Sequence, residues 1–204
     1  MGEARIRPVG VAAGAVPCGE DDATLISGSL RTPERFAAIF DRHAPAIHSY
    51  VARRLGRDRA DDVVAEVFLV AFQRRGGYDL THADARPWLY GIATNLIRRH
   101  RRNEVRLLRA IARAAADPPA EPIADQVTRR VAAQAVRGGL ARVMAELPGP
   151  QRDVLLLVAS GLGVQDTAEA LGVPSGTVAS RLARARRRLR AELGGANPID
   201  DLRE

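Results

Sequence analysis

Arginine side chains cluster near the carboxyl end of the chain, with a spacing that is typical of a surface for a polyanion. Between Ser180 and Ala191 the basic side chains are Arg181, Arg184, Arg186, Arg187, Arg188 and Arg190, with no carboxylate among them. An ordinary solvated helix face mixes signs, because opposite charges four residues apart stabilise each other. Guanidinium groups without such partners repel one another unless an anion lies alongside. The pattern therefore predicts a DNA-binding helix.

The residues before these arginines predict the helix-turn-helix that positions them. Its two helices meet at a sharp angle, so their contact needs a small residue and their turn needs a left-handed backbone. Ala168 and Gly172 suit these two positions. Ser175 or Thr177 is predicted to cap the second helix, because a hydroxyl accepts hydrogen bonds from free first-turn amides. An apolar stripe then recurs at helical spacing, at Val178, Leu182, Ala185 and Leu189.

The composition favours a nucleic-acid partner. The 204 residues carry a net charge of +7, and the pI is near 10.9, which favours association with polyanions. Every basic residue is Arg and none is Lys, which indicates a GC-rich coding bias rather than selection of each Arg for bidentate recognition. Aromatic residues make up 4% of the chain, so its cores must be mainly aliphatic.

The sequence offers little support for metal, disulfide or membrane chemistry. Cys18 is the only cysteine, which excludes a disulfide within the chain. The histidines, at His43, His48, His82 and His100, form no metal-binding pair on one helix face. No apolar run reaches the roughly 20 residues that span a bilayer, and the amino terminus lacks a signal-peptide core. We expect a cytoplasmic protein with no membrane insertion, metal, cofactor or catalytic residue.

Helical periodicity predicts an all-α fold of two small domains joined by a flexible linker. Residues 1–20 mix Gly, Pro and Ala without a period and are predicted to be disordered. Pro118, Pro119 and Pro122 predict a linker over 115–125. It separates a first domain at 21–114 from a second domain at 126–193, which contains the helix-turn-helix. Residues 194–204 form a tail.

Within the first domain the pattern predicts a short helix near Asp21 and then three longer ones. The first of the three starts at Pro33, the second covers Asp61 to Gln73 and the third opens near Asp84. Its continuation is a second basic helix, opposed only by Glu104, with Arg98, Arg99, His100, Arg101, Arg102, Arg106, Arg109 and Arg113.

Asp62 and Glu66 lie four residues apart on one face of the second of these helices. Two acids at this spacing are compatible with a catalytic pair, yet nothing nearby supplies a nucleophile or metal ligands. A docking face or a solvated face is therefore the preferred interpretation.

Five segments of the chain occur in the order of a known family. They are FAAIFDRHAPAIHSYVARRL, ADDVVAEVFLVAF, PWLYGIATNLIRRHRR, LPGPQRDVLLLVASGLG and LGVPSGTVASRLARARRRLR. From Asp21 to Leu193 the chain resembles a bacterial RNA polymerase sigma factor of the extracytoplasmic-function class, group IV of the sigma-70 superfamily. The resemblance implies a non-enzyme that binds the clamp and β flap of core RNA polymerase and directs promoter recognition and transcription initiation. It also implies an anti-sigma partner.

The resemblance assigns the first domain to sigma region 2 and the second to sigma region 4. For docking on polymerase it implies Asp62, Glu66 and Phe68. For recognition and melting of the minus-ten element it implies Tyr78, Asn95, Arg98, Arg99 and Arg102. For the upstream, minus-thirty-five element it implies Ser175, Thr177, Ser180, Arg181, Arg184, Arg187 and Arg188. Trp88 is expected to anchor the core rather than stack on a base.

Two other classes of protein remain as alternatives. A one-component transcriptional regulator also carries a helix-turn-helix, but it needs a ligand-sensing or dimerising domain. A DNA enzyme such as a serine recombinase needs a nucleophilic serine in an α/β domain, whereas Ser27, Ser29 and Ser49 lie in helical or irregular sequence. Failure to bind core polymerase favours the regulator, and covalent attachment to DNA favours the enzyme.

Overall fold

The structure is a computed structural model that describes residues 19–116 and 126–192, with side chains placed at 19–114 and 136–192. Within these ranges the chain forms nine α-helices and no β-strand, which confirms the all-α prediction. The helices are α1 (Asp22–Ser29), α2 (Ala37–Leu55), α3 (Arg57–Arg74), α4 (Arg86–Arg99), α5 (Arg101–Ala116), α6 (Gln126–Glu146), α7 (Gly149–Ala159), α8 (Val164–Leu171) and α9 (Ser175–Glu192). The predicted disordered segment (1–20), linker (115–125) and tail (194–204) lie wholly or largely outside the described residues.

The first core forms where α2, α3 and α4 pack together. Its fully buried side chains are mainly aliphatic and include Ile39, Ile47, Val51, Val67, Leu89 and Ile97. Tyr50 crosses this core, and its hydroxyl lies 2.8 Å from the Thr94 hydroxyl. The Tyr50 ring also packs edge to face on Tyr90, with centroids 5.1 Å apart. These contacts fix α4, which carries most of the predicted minus-ten residues, against α2.

One buried carboxylate joins α1 to the rest of the first core. Asp22 accepts hydrogen bonds from the backbone N–H of Ala85 at 2.8 Å and from Arg42, and it lies 2.7 Å from His43 Nε2. Burial by itself raises the pKa of Asp22, but His43, the Ala85 amide and Arg42 outweigh it and lower the pKa to about 2. Asp84 brings a third ligand-type side chain within 4.8 Å. We assign no metal site there, because both Asp22 oxygens already have protein partners.

The second core contains the helix-turn-helix formed by α8 and α9. Gly172 ends α8 with φ of 63°, and the Val173 N–H donates to the Ala168 carbonyl at 3.0 Å. Ala168 is 5% exposed and Val178 is fully buried, so the predicted contact, turn and core positions are confirmed. The capping prediction is wrong, because Ser175 is already the first residue of α9 and Thr177 lies inside its first turn.

The basic segment after α4 is not one continuous helix. The backbone leaves helical geometry at His100, where φ is −96° and ψ is 15°, and α5 begins at Arg101. The break redirects the chain, so that α5 packs along α6 of the second half. The prediction that the third helix continues into the basic segment is therefore wrong at this residue, because two helices meet there.

The two halves of the chain are packed against each other. Leu157 and Leu162, from α7 and the turn after it, are 0% and 4% exposed and belong to the core of α2, α3 and α4. Gly91 of α4 faces α8 so closely that a Cβ there would lie 2.6 Å from the Ala170 carbonyl oxygen. Only a glycine allows α4 and α8 to approach this closely.

Replacing Asp22 with Asn tests the carboxylate that attaches α1. We expect the free energy of unfolding to fall by about 1–2 kcal/mol at pH 7, because the charged form is favoured in the folded state. The folded pKa lies below the usual value of 3.8, so this stabilisation is present above about pH 4 and is lost as the pH falls toward 2. Thermal unfolding followed by circular dichroism between pH 7 and pH 2.5 measures it. The exposed Asp41→Asn is the control. If the difference in stability between the wild type and Asp22→Asn does not narrow at low pH, the assignment is wrong.

Candidate nucleic-acid and polymerase interfaces

Helix α9 presents one face to the core and the opposite face to solvent. Leu182 is 7% exposed and Leu189 is fully buried, whereas Ser180, Arg184 and Arg187 are exposed. The Ser180 hydroxyl donates to the Thr177 carbonyl at 3.0 Å, which leaves its acceptor capacity toward solvent. This geometry leaves one face of the second helix of the motif open to solvent, as recognition by a helix-turn-helix requires.

The arginines predicted to contact the upstream element differ in whether they already pair with a carboxylate of the protein. Arg188 pairs with Glu146 at 3.1 Å. Arg181 is partly buried, whereas Arg184 and Arg187 are exposed, and within the described ranges neither of these two lies within ion-pairing distance of a carboxylate. Ser175 is exposed and Thr177 is partly buried, both in the first turn of α9. The set therefore lies on one helix, with Arg184 and Arg187 the most accessible to an anion.

The minus-ten set is divided between an exposed group and a buried residue. Asn95, Arg98, Arg99 and Arg102 are exposed on α4 and at the start of α5. Arg98 donates to the Asn95 side-chain oxygen at 3.1 Å, and Arg99 lies 3.4 Å from Glu66. Asn95 and Arg98 are therefore already oriented as a pair on one surface.

Tyr78 does not belong to that exposed group. It is 8% exposed, its hydroxyl donates to the His82 carbonyl at 2.7 Å, and its ring packs on Trp88 with centroids 5.0 Å apart. Burial, together with the nearby carboxylate of Asp22, raises the pKa of Tyr78. Its predicted role at the minus-ten element requires this ring to become exposed. Trp88 packs at the edge of the first core, as expected.

A stripe of arginines extends the basic surface along α5. Arg102, Arg106, Arg109 and Arg113 follow one another at helical spacing and line one side of an open groove of about 1440 Å³. Arg142 lines the other side and lies 3.5 Å from Glu192. The sequence predicts a basic segment here, and the structure shows that these four arginines share one face of α5. Residues at i, i+4, i+7 and i+11 are the signal that marks such a face in the sequence.

The predicted docking residues lie on α3, where the structure adds an apolar contact. Asp62 is exposed and Glu66 is partly exposed on the same face, and Leu69, one turn further along, is 56% exposed. Phe68 is 6% exposed and packs edge to face on Phe40, with centroids 4.8 Å apart. Phe40 itself is 44% exposed. Phe68 is therefore a core residue of α3 rather than part of its exposed face, to which Leu69 adds an apolar side chain.

Two buried carboxylates bind three arginines at the junction of the two halves. Glu104 of α5 accepts from Arg54 Nε at 2.7 Å and from Arg152 Nη1 at 2.9 Å. Asp153 of α7 accepts from Arg54 Nη2 at 2.6 Å and from Arg98 Nε at 3.0 Å. All four carboxylate oxygens are therefore paired with a guanidinium group. We call these five residues the junction network.

Each buried charge of the junction network has the partners that its burial demands. Arg54 and Arg152 are 2% and 1% exposed. Arg54 also donates to the Tyr50 hydroxyl at 2.7 Å, and Arg152 donates to three backbone carbonyls at the end of α6 and just after it. Burial alone lowers the pKa of Arg54, but Tyr50, Glu104 and Asp153 outweigh it and raise the pKa. The guanidinium therefore stays charged in the interior.

The described residues form a helical protein with an exposed helix-turn-helix and a second basic surface. Both features are typical of a DNA-binding protein. The family model for sigma-70 region 2 matches residues 39–107, and the model for sigma-70 region 4 matches residues 137–189. The ECF RNA polymerase sigma factor SigM of Mycobacterium tuberculosis is 35% identical over 186 residues, which cover 86% of each chain. The sigma factor HrpL of Pseudomonas syringae is 32% identical over 179 residues, covering 80% of this chain and 91% of HrpL. The chain belongs to the ECF family of RNA polymerase sigma factors.

Two solved structures share the fold. CnrH in complex with the cytosolic domain of CnrY gives a TM-score of 0.59 at 22% identity and covers 86% of this chain and 99% of that one. The sigma factor RpoE of Bartonella quintana, in complex with the anti-sigma factor NepR, gives a TM-score of 0.55 at 22% identity over 79% of this chain and 98% of that one. Because the chain belongs to this family, it is a sigma factor, which directs promoter recognition, and not an enzyme. Among the helices described, none is long and apolar enough to cross a membrane.

Replacing Glu104 with Gln tests how much the junction network contributes to the stability of the fold. We expect the free energy of unfolding to fall by about 3–5 kcal/mol, because Arg54 and Arg152 remain buried without their shared counter-charge. Glu146→Gln is the matched control, since it breaks a half-exposed pair with Arg188 and should cost at most about 1 kcal/mol. Urea unfolding of both variants measures the difference. Equal losses of unfolding free energy in the two variants contradict the predicted contribution of the network to stability.

Proposed function

We propose that this sigma factor holds two promoter elements at once, with α9 at the minus-thirty-five element and the α4–α5 surface at the minus-ten element. The observation that carries the proposal is the exposed face of α9, whose serine and arginines face solvent while its aliphatic face packs in the core. The family supplies the context, since a sigma factor acts on promoters together with RNA polymerase. We place the protein in the cytoplasm, where bacterial transcription takes place.

On the upstream element, Ser180, Arg181 and Arg184 are proposed to read base edges, because they precede Arg187 and Arg188 and lie within the first ten of the eighteen residues of α9. A bidentate arginine on guanine gives about 1–3 kcal/mol of discrimination between bases. Arg187 and Arg188 lie further along the helix and are proposed to contact phosphates, which adds affinity that depends on salt. Ser175 and Thr177 complete the surface at the first turn.

On the minus-ten element, Asn95 is proposed to contact an unstacked base while Arg98, Arg99 and Arg102 neutralise the adjoining phosphates. Drawing a base out of the stack costs a few kcal/mol, and contacts to the strand must repay this cost. The Asn95–Arg98 hydrogen bond of 3.1 Å supports the pairing of these two roles. The arginine stripe of α5 continues the same positive surface toward the linker.

Core polymerase is proposed to bind at two places, with its clamp on the exposed face of α3 and its β flap on the second domain. Asp62 and Glu66 supply charge on that face, and the exposed Leu69 supplies the apolar contact that a stable interface needs at its centre. Because both contacts are made by one chain, binding at the first place makes binding at the second intramolecular, which strengthens the whole complex. An anti-sigma protein is proposed as a further partner, because one of the solved relatives is bound to an anti-sigma factor.

In vitro transcription with purified core polymerase on fragmented GC-rich genomic DNA tests this function. Discrete new start sites that require the protein support it, and alignment of their upstream regions gives both promoter elements. Salt-sensitive DNA binding without new start sites instead indicates a regulator that works without joining polymerase.

Two arginine substitutions should separate base reading from phosphate binding. Arg184→Ala is expected to cost about 1–3 kcal/mol on the cognate upstream element and to relax specificity there. Arg102→Ala is expected to weaken binding evenly across sequences. It should also reduce the slope of log K against log salt concentration by the value of about one phosphate contact. Binding isotherms at several salt concentrations on cognate and scrambled templates measure both effects. If neither variant alters binding or transcription, these two contacts are assigned wrongly.

Replacing Leu69 with Asp tests the docking face. We expect at least a tenfold loss of affinity for core polymerase, about 1.4 kcal/mol, because a charge would be buried at the centre of the contact. Leu80→Asp is the matched control, because Leu80 is 52% exposed and Leu69 is 56% exposed. Titration of fluorescently labelled protein with core polymerase compares the two. Loss of affinity in both variants, or in neither, contradicts the location of the face.

A further inference from the structure

An apolar pocket of about 410 Å³ lies between α2, α5, α6 and α7. Its walls are formed mainly by large apolar side chains, which are Leu108, Ile111, Leu140, Met144, Leu155 and Leu156. Ala141 and Ala159 complete the walls with small side chains. None of the described lining residues is among those assigned to DNA or to the polymerase clamp. A pocket of this size and composition lies within the range of small-molecule sites, which are mostly apolar and carry a few polar groups.

Two arginines are the only exposed residues in the described lining of this pocket. Arg53 of α2 and Arg137 of α6 are exposed, whereas the other described lining residues are buried or half-buried. Arg53 donates to the Ser160 hydroxyl at 3.1 Å. Within the described ranges neither arginine lies within ion-pairing distance of a carboxylate. The mouth of the pocket is therefore cationic.

The charged residues in the buried part of the lining are already paired within the protein. Arg54 Nε donates to Glu104 at 2.7 Å, and its other two nitrogens donate to Tyr50 and Asp153. The second oxygen of Glu104 accepts from Arg152 at 2.9 Å. A ligand in the pocket therefore meets apolar walls inside and unpaired cations at the mouth. This combination suits an alkyl chain with an anionic head group and disfavours a cationic one.

We propose that this pocket is a binding site for a single-chain fatty acid, whose alkyl chain lies between α5, α6 and α7 and whose carboxylate binds Arg53 and Arg137. A methylene group and a water molecule occupy similar volumes, roughly 30 Å³ each, so the pocket holds a chain of roughly ten to fourteen carbons. Burial of the chain supplies most of the affinity, and the arginines supply the preference for an anion. This site is independent of the proposed promoter contacts.

Met144 provides a direct probe of the pocket. The chain has two methionines, Met1 and Met144, so full-length protein with ¹³C-labelled methionine methyl groups gives at most two such NMR signals, and Met144→Leu assigns them. Decanoate, added below the concentration at which it forms micelles, is expected to shift the Met144 signal until the site is saturated. Affinity should rise about fourfold with each methylene between hexanoate and decanoate. Decyltrimethylammonium has the same alkyl chain and should bind at least about tenfold more weakly, because its head group would meet two like charges. Equal binding of the two ten-carbon amphiphiles, or no shift with decanoate, overturns the proposal.

Two substitutions locate the alkyl chain and the head group. Ala159→Phe fills the pocket with a ring and should abolish decanoate binding, whereas Ala112→Phe adds the same ring at a half-buried position of α5 outside this pocket and should not.

Arg137→Gln should lower the affinity for decanoate about two- to fivefold, as expected for an exposed ion pair, and the exposed Arg31→Gln is its control. This second pair also decides the question if Ala159→Phe does not fold. Decanoate binding that neither Ala159→Phe nor Arg137→Gln alters overturns the site. Loss of polymerase affinity in Ala159→Phe, without decanoate binding by the wild type, assigns the pocket to polymerase and likewise overturns it. The decanoate titrations use the free chain, so failure of this site is distinguishable from failure of promoter-directed transcription.

Discussion

The arrangement of the whole molecule depends on two buried carboxylates placed among three arginines. Glu104 and Asp153 lie in the interior, 2% exposed each, where an unpaired charge would cost several kcal/mol. Each of their four oxygens is matched to a guanidinium of Arg54, Arg98 or Arg152. Because the partners come from α2, α4, α5 and α7, the pairing is complete in only one relative placement of these helices. The network therefore specifies one relative placement of these four helices more than it adds stability.

The same residue type performs opposite tasks in this chain. Arg54 and Arg152 are buried and fully paired, whereas Arg184, Arg187 and the stripe along α5 are exposed. The buried arginines hold the two halves together, and the exposed ones need an external anion to offset their mutual repulsion. Arg98 lies between these two classes, since its side chain is 43% exposed and pairs with a carboxylate that is 3% exposed. Arg98 is therefore the member of the junction network that solvent reaches most readily.

Features set by neighbouring residues were predictable from the sequence. The turn at Gly172, the small contact residue Ala168 and the aliphatic stripe of α9 follow from local backbone sterics and helical spacing. The break at His100 was not predictable, because the residues on both sides favour helix and the direction of α5 is set by packing on α6. The exposure of Leu69 and the burial of Tyr78 also depend on distant contacts. Arg54 meets Glu104 and Asp153 across 50 and 99 residues, and no local pattern marks such pairs.

The most direct test of this account is the distance between the two domains in the free chain and in the polymerase complex. Dyes at Thr32→Cys and Val136→Cys, two exposed positions with no proposed contact to DNA or polymerase, in a Cys18→Ser background would report it by single-molecule energy transfer. The account predicts a short distance in the free protein and a single population tens of ångströms longer once core polymerase and promoter are bound, consistent with elements about 85 Å apart. An unchanged short distance in a complex that initiates transcription would contradict it.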